Sequence, residues 1–168
     1  MKTQLDYARA GIVTEQMRQA TADEPVTAEQ LRDLIAAGRA VLPHNRSRTF
    51  PIVRAIGSGL KTKVNANLGA SGECADFDME KAKLAGALQA QTDSIMDLST
   101  GGDLTALRRF FLQESTVMVG AVPIYMLATE MVRQHEALEK MDPDRLLRSI
   151  EAQCQEGLDY ITVHCGVT

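Results

Sequence analysis

At 168 residues, with 45% hydrophobic content and a net charge of -4, the chain has the size and balance of one globular domain. The acidic balance excludes nucleic acid as the main partner, because phosphate binding needs a basic face. No apolar stretch approaches the roughly 20 residues that span a bilayer, and Met1-Lys2-Thr3-Gln4-Leu5-Asp6 lacks the apolar core of a signal peptide, so a cytoplasmic protein without a membrane partner is expected.

Residues 1 to about 50 read as a helical lead-in. Thr14 can cap a short helix reaching about Ala22, and Pro25 breaks the pattern. Thr27-Ala28-Glu29-Gln30 fits a capping box, with Leu31, Leu34 and Ile35 following at helical spacing and Gly38 as the terminator. Val41-Leu42-Pro43 is extended, because the residue before proline disfavours helix. His44-Asn45-Arg46-Ser47-Arg48 is a basic loop, either a solvated surface or an anion-binding turn.

From residue 51 onward, short apolar runs alternate with helical patterns. Strands are predicted near 61–67, 94–98, 117–122 and 159–164. Helices are predicted from Asp78 to about Gln91, from Leu104 to about Gln113, over 126–138, and from Pro143 to about Gln155 with Gly157 as its stop. This is the rhythm of parallel βα units, whose ligand sites gather at the carboxyl ends of the strands. Asn67, Met96, Tyr125 and His164 then line one rim. No helix follows the fourth strand, so two architectures fit: a small four-stranded α/β sheet, or half of a closed barrel.

Asn65 and Asn67 are two apart on a strand and share a face. Unpaired buried amides cost about 1–3 kcal/mol each, so the two bond each other and nearby backbone, or a ligand. Asp97-Leu98-Ser99-Thr100-Gly101-Gly102 after the second strand offers a Gly-rich turn that could hold a phosphate, unless Asp103 simply caps the helix at Leu104. Tyr125 can pack its ring while its hydroxyl reaches a ligand. His164 stands at a strand's carboxyl end, either as a core residue or as a working group. Cys154 and Cys165 read as core thiols, and with Cys74 they form no Cys-x-x-Cys pair. No nucleophile–base pair follows from spacing, and catalytic residues stay unassigned.

Five segments together are similar to the phosphomethylpyrimidine synthase (ThiC) family of thiamine biosynthesis: residues 3–12 (TQLDYARAGI), 59–69 (GLKTKVNANLG), 95–102 (IMDLSTGG), 122–125 (VPIY) and 159–167 (DYITVHCGV). The resemblance implies the first half of a (βα)8 TIM-type barrel, preceded by short N-terminal helices. Residues 1–50 would form the lead-in and 51–168 the first four βα units. It further implies a radical S-adenosylmethionine lyase, a 4Fe-4S cluster and a divalent metal, zinc. The small-molecule nucleotide substrate would be 5-aminoimidazole ribonucleotide, and Asn67, Met96, Tyr125 and His164 match substrate-contact positions. Ligands for the cluster and the metal are not among this chain's motifs, so the chain alone is expected to be inactive, completed by a C-terminal half or by homo-oligomerisation. A related reading is 5-hydroxybenzimidazole synthase of cobamide synthesis, which starts from the same ribonucleotide. A third is a non-catalytic half-barrel that self-associates.

Overall fold

In the computed structural model, residues 2–45, 47–48 and 51–166 are described, and the chain divides into two compact units between Val64 and Asn65. The first unit opens with three short helices, each started by a threonine. Thr3 begins α1 (Gln4–Arg9), Thr14 begins α2 (Glu15–Ala20) and Thr27 begins α3 (Ala28–Ala36). Each threonine hydroxyl accepts a backbone N–H of its first turn. Asp6 and Gln30 return the bond to complete capping boxes. Two short helices were expected; α1 is additional, marked in the sequence by the Thr3–Asp6 box.

Met17, Leu31 and Ile35 are buried with Ala8, Ala20 and Leu42, giving this unit its own aliphatic core. Two-residue strands β1 (Ala40–Val41) and β2 (Ile56–Gly57) pair antiparallel. Lys63 Nζ meets Glu24 at 2.6 Å, with both side chains almost wholly buried, while the other Glu24 oxygen accepts the Lys61 N–H at 2.8 Å. That bond explains a difference from expectation. Residues 61–64, read as the first half of a strand, are tied to Glu24 and do not enter a ladder.

The second unit is an α/β layer built on four parallel strands: β3 (Asn65–Leu68), β4 (Ser94–Asp97), β5 (Met118–Ala121) and β6 (Tyr160–Ile161). They lie in sequence order, each beside the one before. The crossovers carry α4 (Phe77–Gln89), α5 (Leu104–Glu114), α6 (Pro123–Arg133) and α7 (Pro143–Glu156). Asp76, Asp103 and Asp142 cap α4, α5 and α7, and Gly157 ends α7 in the left-handed region that glycine adopts without strain (φ 102). Ile95 and Val119 share one face of the sheet and are fully buried, as are Phe111 and Met131 on the crossover helices. Burying each such side chain contributes about 1.5–3 kcal/mol.

Three sequence expectations change here. The last strand spans two residues instead of 159–164, leaving His164 beyond it, outside any helix or strand. Tyr125 lies in the first turn of α6 and not at a strand exit, because Pro123 occupies the N1 position, where its fixed φ starts the helix three residues earlier than predicted. Cys154 and Cys165 are exposed, as is Cys74, so none is a core thiol. Cys154 falls on the outer side of α7, whose buried residue is Gln153.

Candidate functional site

Parallel pairing sets Asn65 opposite Ser94 and Asn67 opposite Met96, then Met96 opposite Gly120 and Gly120 opposite Tyr160. Alternation along a strand sends these side chains to one face, away from Ile95 and Val119. The row is therefore polar at both edges and flat in the middle. Gly120 is the flat point. A Cβ there would collide with Cε2 and Cζ of Tyr160, so only glycine lets that ring lie across β5. The phenol oxygen then reaches β3 and β4, at 2.8 Å from Asn65 Oδ1 and 2.9 Å from the Ile95 carbonyl. The Ser94 hydroxyl donates to the same Asn65 oxygen at 2.7 Å, and Asn65 Nδ2 donates to Asn67 Oδ1 at 2.8 Å. Burial pushes the Tyr160 phenol above its ordinary value, with the Asp159 charge adding to this and the Ser94 hydrogen bond opposing it. It stays a donor at neutral pH.

The four candidates fall into two pairs, Asn67 with Met96 on β3 and β4, and Tyr125 in α6 with His164 past the end of β6. Asn67 is exposed and Met96 beside it is nearly buried. Tyr125 and His164 stack, with ring centroids 6.0 Å apart and planes 28° from parallel. Thr162, two residues before His164, places Oγ1 3.9 Å from Met96 Sδ, so the segment after β6 runs from one pair to the other. Both rings are open to solvent, Tyr125 at 37% exposure. An open pocket of about 510 Å³ adjoins Tyr125, lined also by Thr100, Gly101, Thr129 and Arg133. The set offers amide and imidazole hydrogen bonding, a soft sulfur and a π-face. That is equipment for holding a planar polar ligand.

The Gly-rich turn after β4 has another use. Thr100 and Gly101 donate their N–H groups to the Ala70 carbonyl, the Ser99 N–H goes to Asp97, and Asp103 caps α5. These N–H groups are committed, so the phosphate option gives way to the capping one. Asp97 Oδ1 also accepts the Ser99 hydroxyl at 2.5 Å, and Ser99 Oγ accepts the Ala70 N–H. Glu80, fully buried on α4, accepts the Gly69 N–H at 3.0 Å and pairs with Lys83 at 2.6 Å. Together these bonds tie the β3–α4 turn to the β4–α5 turn. Burial raises the Asp97 carboxyl above its ordinary range; Ser99 and the Arg108 charge oppose the shift, and the Glu80 charge adds to it.

Asn65 and Asn67 do bond each other, one of the two options read from their spacing. Ser94, Tyr160 and Gly120 were missed. Strand phase could have placed Ser94 and Tyr160 on the Asn65 face, but their meeting required the register. Arg46 of the basic loop lies outside the described residues.

The second unit is thus a parallel α/β domain with polar and aromatic side chains near its strand ends. The model of the Radical SAM ThiC family matches residues 3–168, and the chain belongs to that family. It is 47% identical to a phosphomethylpyrimidine synthase of Desulfitobacterium hafniense and 48% identical to one of Moorella thermoacetica, over 99% of this chain in each case. It is 40% identical to a 5-hydroxybenzimidazole synthase of Desulfuromonas acetoxidans, again over 99% of its length. The chain spans 38% of the length of each of these relatives. Among the described residues no three His, Cys, Asp or Glu side chains gather as a metal site, and the three cysteines are free and exposed. The residues present do not fit an iron–sulfur cluster or a zinc ion.

Proposed function

We propose that the second unit is the first half of a (βα)8 barrel and supplies part of the substrate rim of a phosphomethylpyrimidine synthase. That radical S-adenosylmethionine enzyme converts 5-aminoimidazole ribonucleotide to 4-amino-5-hydroxymethyl-2-methylpyrimidine phosphate. The observation that carries the reading is the alignment of Asn67 beside Met96 on adjacent parallel strands and of Tyr125, in the first turn of α6, against His164, past the end of β6. Asn67 hydrogen-bonds the ligand, Met96 packs on it, and the Tyr125–His164 stack closes one side. The cluster, S-adenosylmethionine, the zinc and the rest of the barrel come from outside these residues, from the remainder of a longer protein or from a second copy. The thiamine branch is preferred to the 5-hydroxybenzimidazole branch because relatives named for the former are 41–48% identical to this chain and those named for the latter 40%.

Calorimetric titration of the full chain with 5-aminoimidazole ribonucleotide tests this. Binding is expected, weakened about tenfold or more by His164→Ala, the loss of roughly one good hydrogen bond or ring contact. No heat of binding by the parent, or equal affinity in the variant, removes the proposal.

A further inference from the structure

Asn65 lies two residues before Asn67, on the same face of β3, and its carboxamide is held from two other strands. Its oxygen takes the Ser94 hydroxyl from β4 and lies against the Tyr160 phenol from β6. With the carbonyl so occupied, its NH2 is the edge left for Asn67, and it donates to Asn67 Oδ1 at 2.8 Å. That one bond decides which way the second carboxamide faces. The oxygen of Asn67 is turned inward, and its Nδ2 hydrogens have no acceptor among the described residues, on an exposed side chain at the rim. A carboxamide free to turn over would offer a donor or an acceptor indifferently. A fixed one offers only donors.

We propose that Asn65 is a positioning residue: clamped by Ser94 and Tyr160, it fixes the Asn67 carboxamide with its nitrogen outward, so this corner of the rim selects a ligand presenting an acceptor oxygen or an unprotonated ring nitrogen. The ligand side of this assignment rests on the substrate-rim reading above; the amide orientation is a property of the chain itself. Gly120 belongs to the same device, since the Tyr160 ring reaches Asn65 only by crossing the gap it leaves. The arrangement is specific to a carboxamide at position 65. Aspartate has the same shape and still accepts from Ser94 and Tyr160, but it has no hydrogen to give Asn67.

The test uses Asn65→Asp and two readouts on the full chain. In the ligand-free parent, hydrogen exchange of the side-chain amides by 15N NMR is expected to show the Asn65 NH2 protected and the Asn67 NH2 exchanging freely. In Asn65→Asp the Asn67 carboxamide turns over to donate to the new carboxylate, so its NH2 becomes protected. Affinity for 5-aminoimidazole ribonucleotide then falls about tenfold or more, with the thermal midpoint unchanged. Protection of the Asn67 NH2 in the parent overturns the proposal whether or not the ribonucleotide binds, and so does parental affinity in Asn65→Asp. A parent that shows the expected exchange but binds no ribonucleotide sinks the substrate reading and leaves Asn65 as the residue that orients Asn67.

Discussion

Substituting Gly120 by alanine asks whether the floor of the polar row is required to be bare. The glycine has an ordinary backbone conformation, so the backbone itself accepts alanine, and the stiffer unfolded chain would favour the variant by about 0.4–1 kcal/mol. The new methyl, however, meets an aromatic ring that cannot fold away. Cδ2 of Tyr160 would stand 2.8 Å from it, with Cε2 and Cζ nearer still, whereas ordinary contact begins at 3.4 Å. The ring must recede by at least ~0.6 Å, the difference between those two contacts. A hydroxyl starting 2.8 Å from Asn65 Oδ1 and 2.9 Å from the Ile95 carbonyl then passes out of hydrogen-bonding range of both. Overpacking of about 1–3 kcal/mol and lost hydrogen bonds at about 1 kcal/mol each outweigh the chain-entropy gain. A net destabilisation of about 2–4 kcal/mol is expected, read from urea unfolding of parent and variant. In a Tyr160→Leu background the same substitution should cost under about 1 kcal/mol, because the ring is gone. A cost below about 0.5 kcal/mol in the parent, or an equal cost in both backgrounds, refutes the steric account.

Two further outcomes follow from buried charge. Asp97 has a carboxyl raised above the ordinary value of about 4, so the folded state holds its proton more tightly than the unfolded chain does. The stability this gives is full below that ordinary value and is lost as pH rises through the raised one. Asp97→Asn introduces a carboxamide that keeps an oxygen to accept from Ser99 but has no proton to lose, so the variant should not show this decline; urea midpoints that fall equally with pH in both proteins count against it. Glu24→Ala leaves the buried Lys63 ammonium without its carboxylate and should destabilise the first unit by about 3–5 kcal/mol. Adding Lys63→Met should restore most of that loss, and a single-variant loss under about 1 kcal/mol speaks against a tight pair.

What sequence could reveal was set by how local the signal is. The caps at Thr14, Thr27 and Asp103, and the stop at Gly157, are written within four residues and were legible as such. Strand ends were less so. Residues 61–64 have strand-like composition, yet a carboxylate 37 positions away takes the Lys61 N–H. Residues 163–166 lie outside any strand, and the last bond to β5 is the Thr162 N–H to the Ala121 carbonyl. The same-face placement of Asn65 and Asn67 follows from a period of two, but the partners of Asn65 do not. Ser94 is 29 residues away and Tyr160 is 95. Their meeting depends on which rungs of β3, β4, β5 and β6 align, and a one-residue slip would turn them to the opposite side. Exposure of Cys154 and Cys165 was misread for a related reason: a small apolar side chain carries no mark of which helix face or chain end it occupies.

The Tyr160 phenol gives assembly a direction. Each strand pairs with the one before it across a helical crossover, so the closures of these strands are non-local and slow to form. The carboxamide at position 65 stands on the earliest of them, but one of its two hydroxyl partners arrives only with the latest, 95 positions further along the chain. The clamp on that carboxamide is therefore completed last, as a report from the final strand back to the first that everything between them has been built.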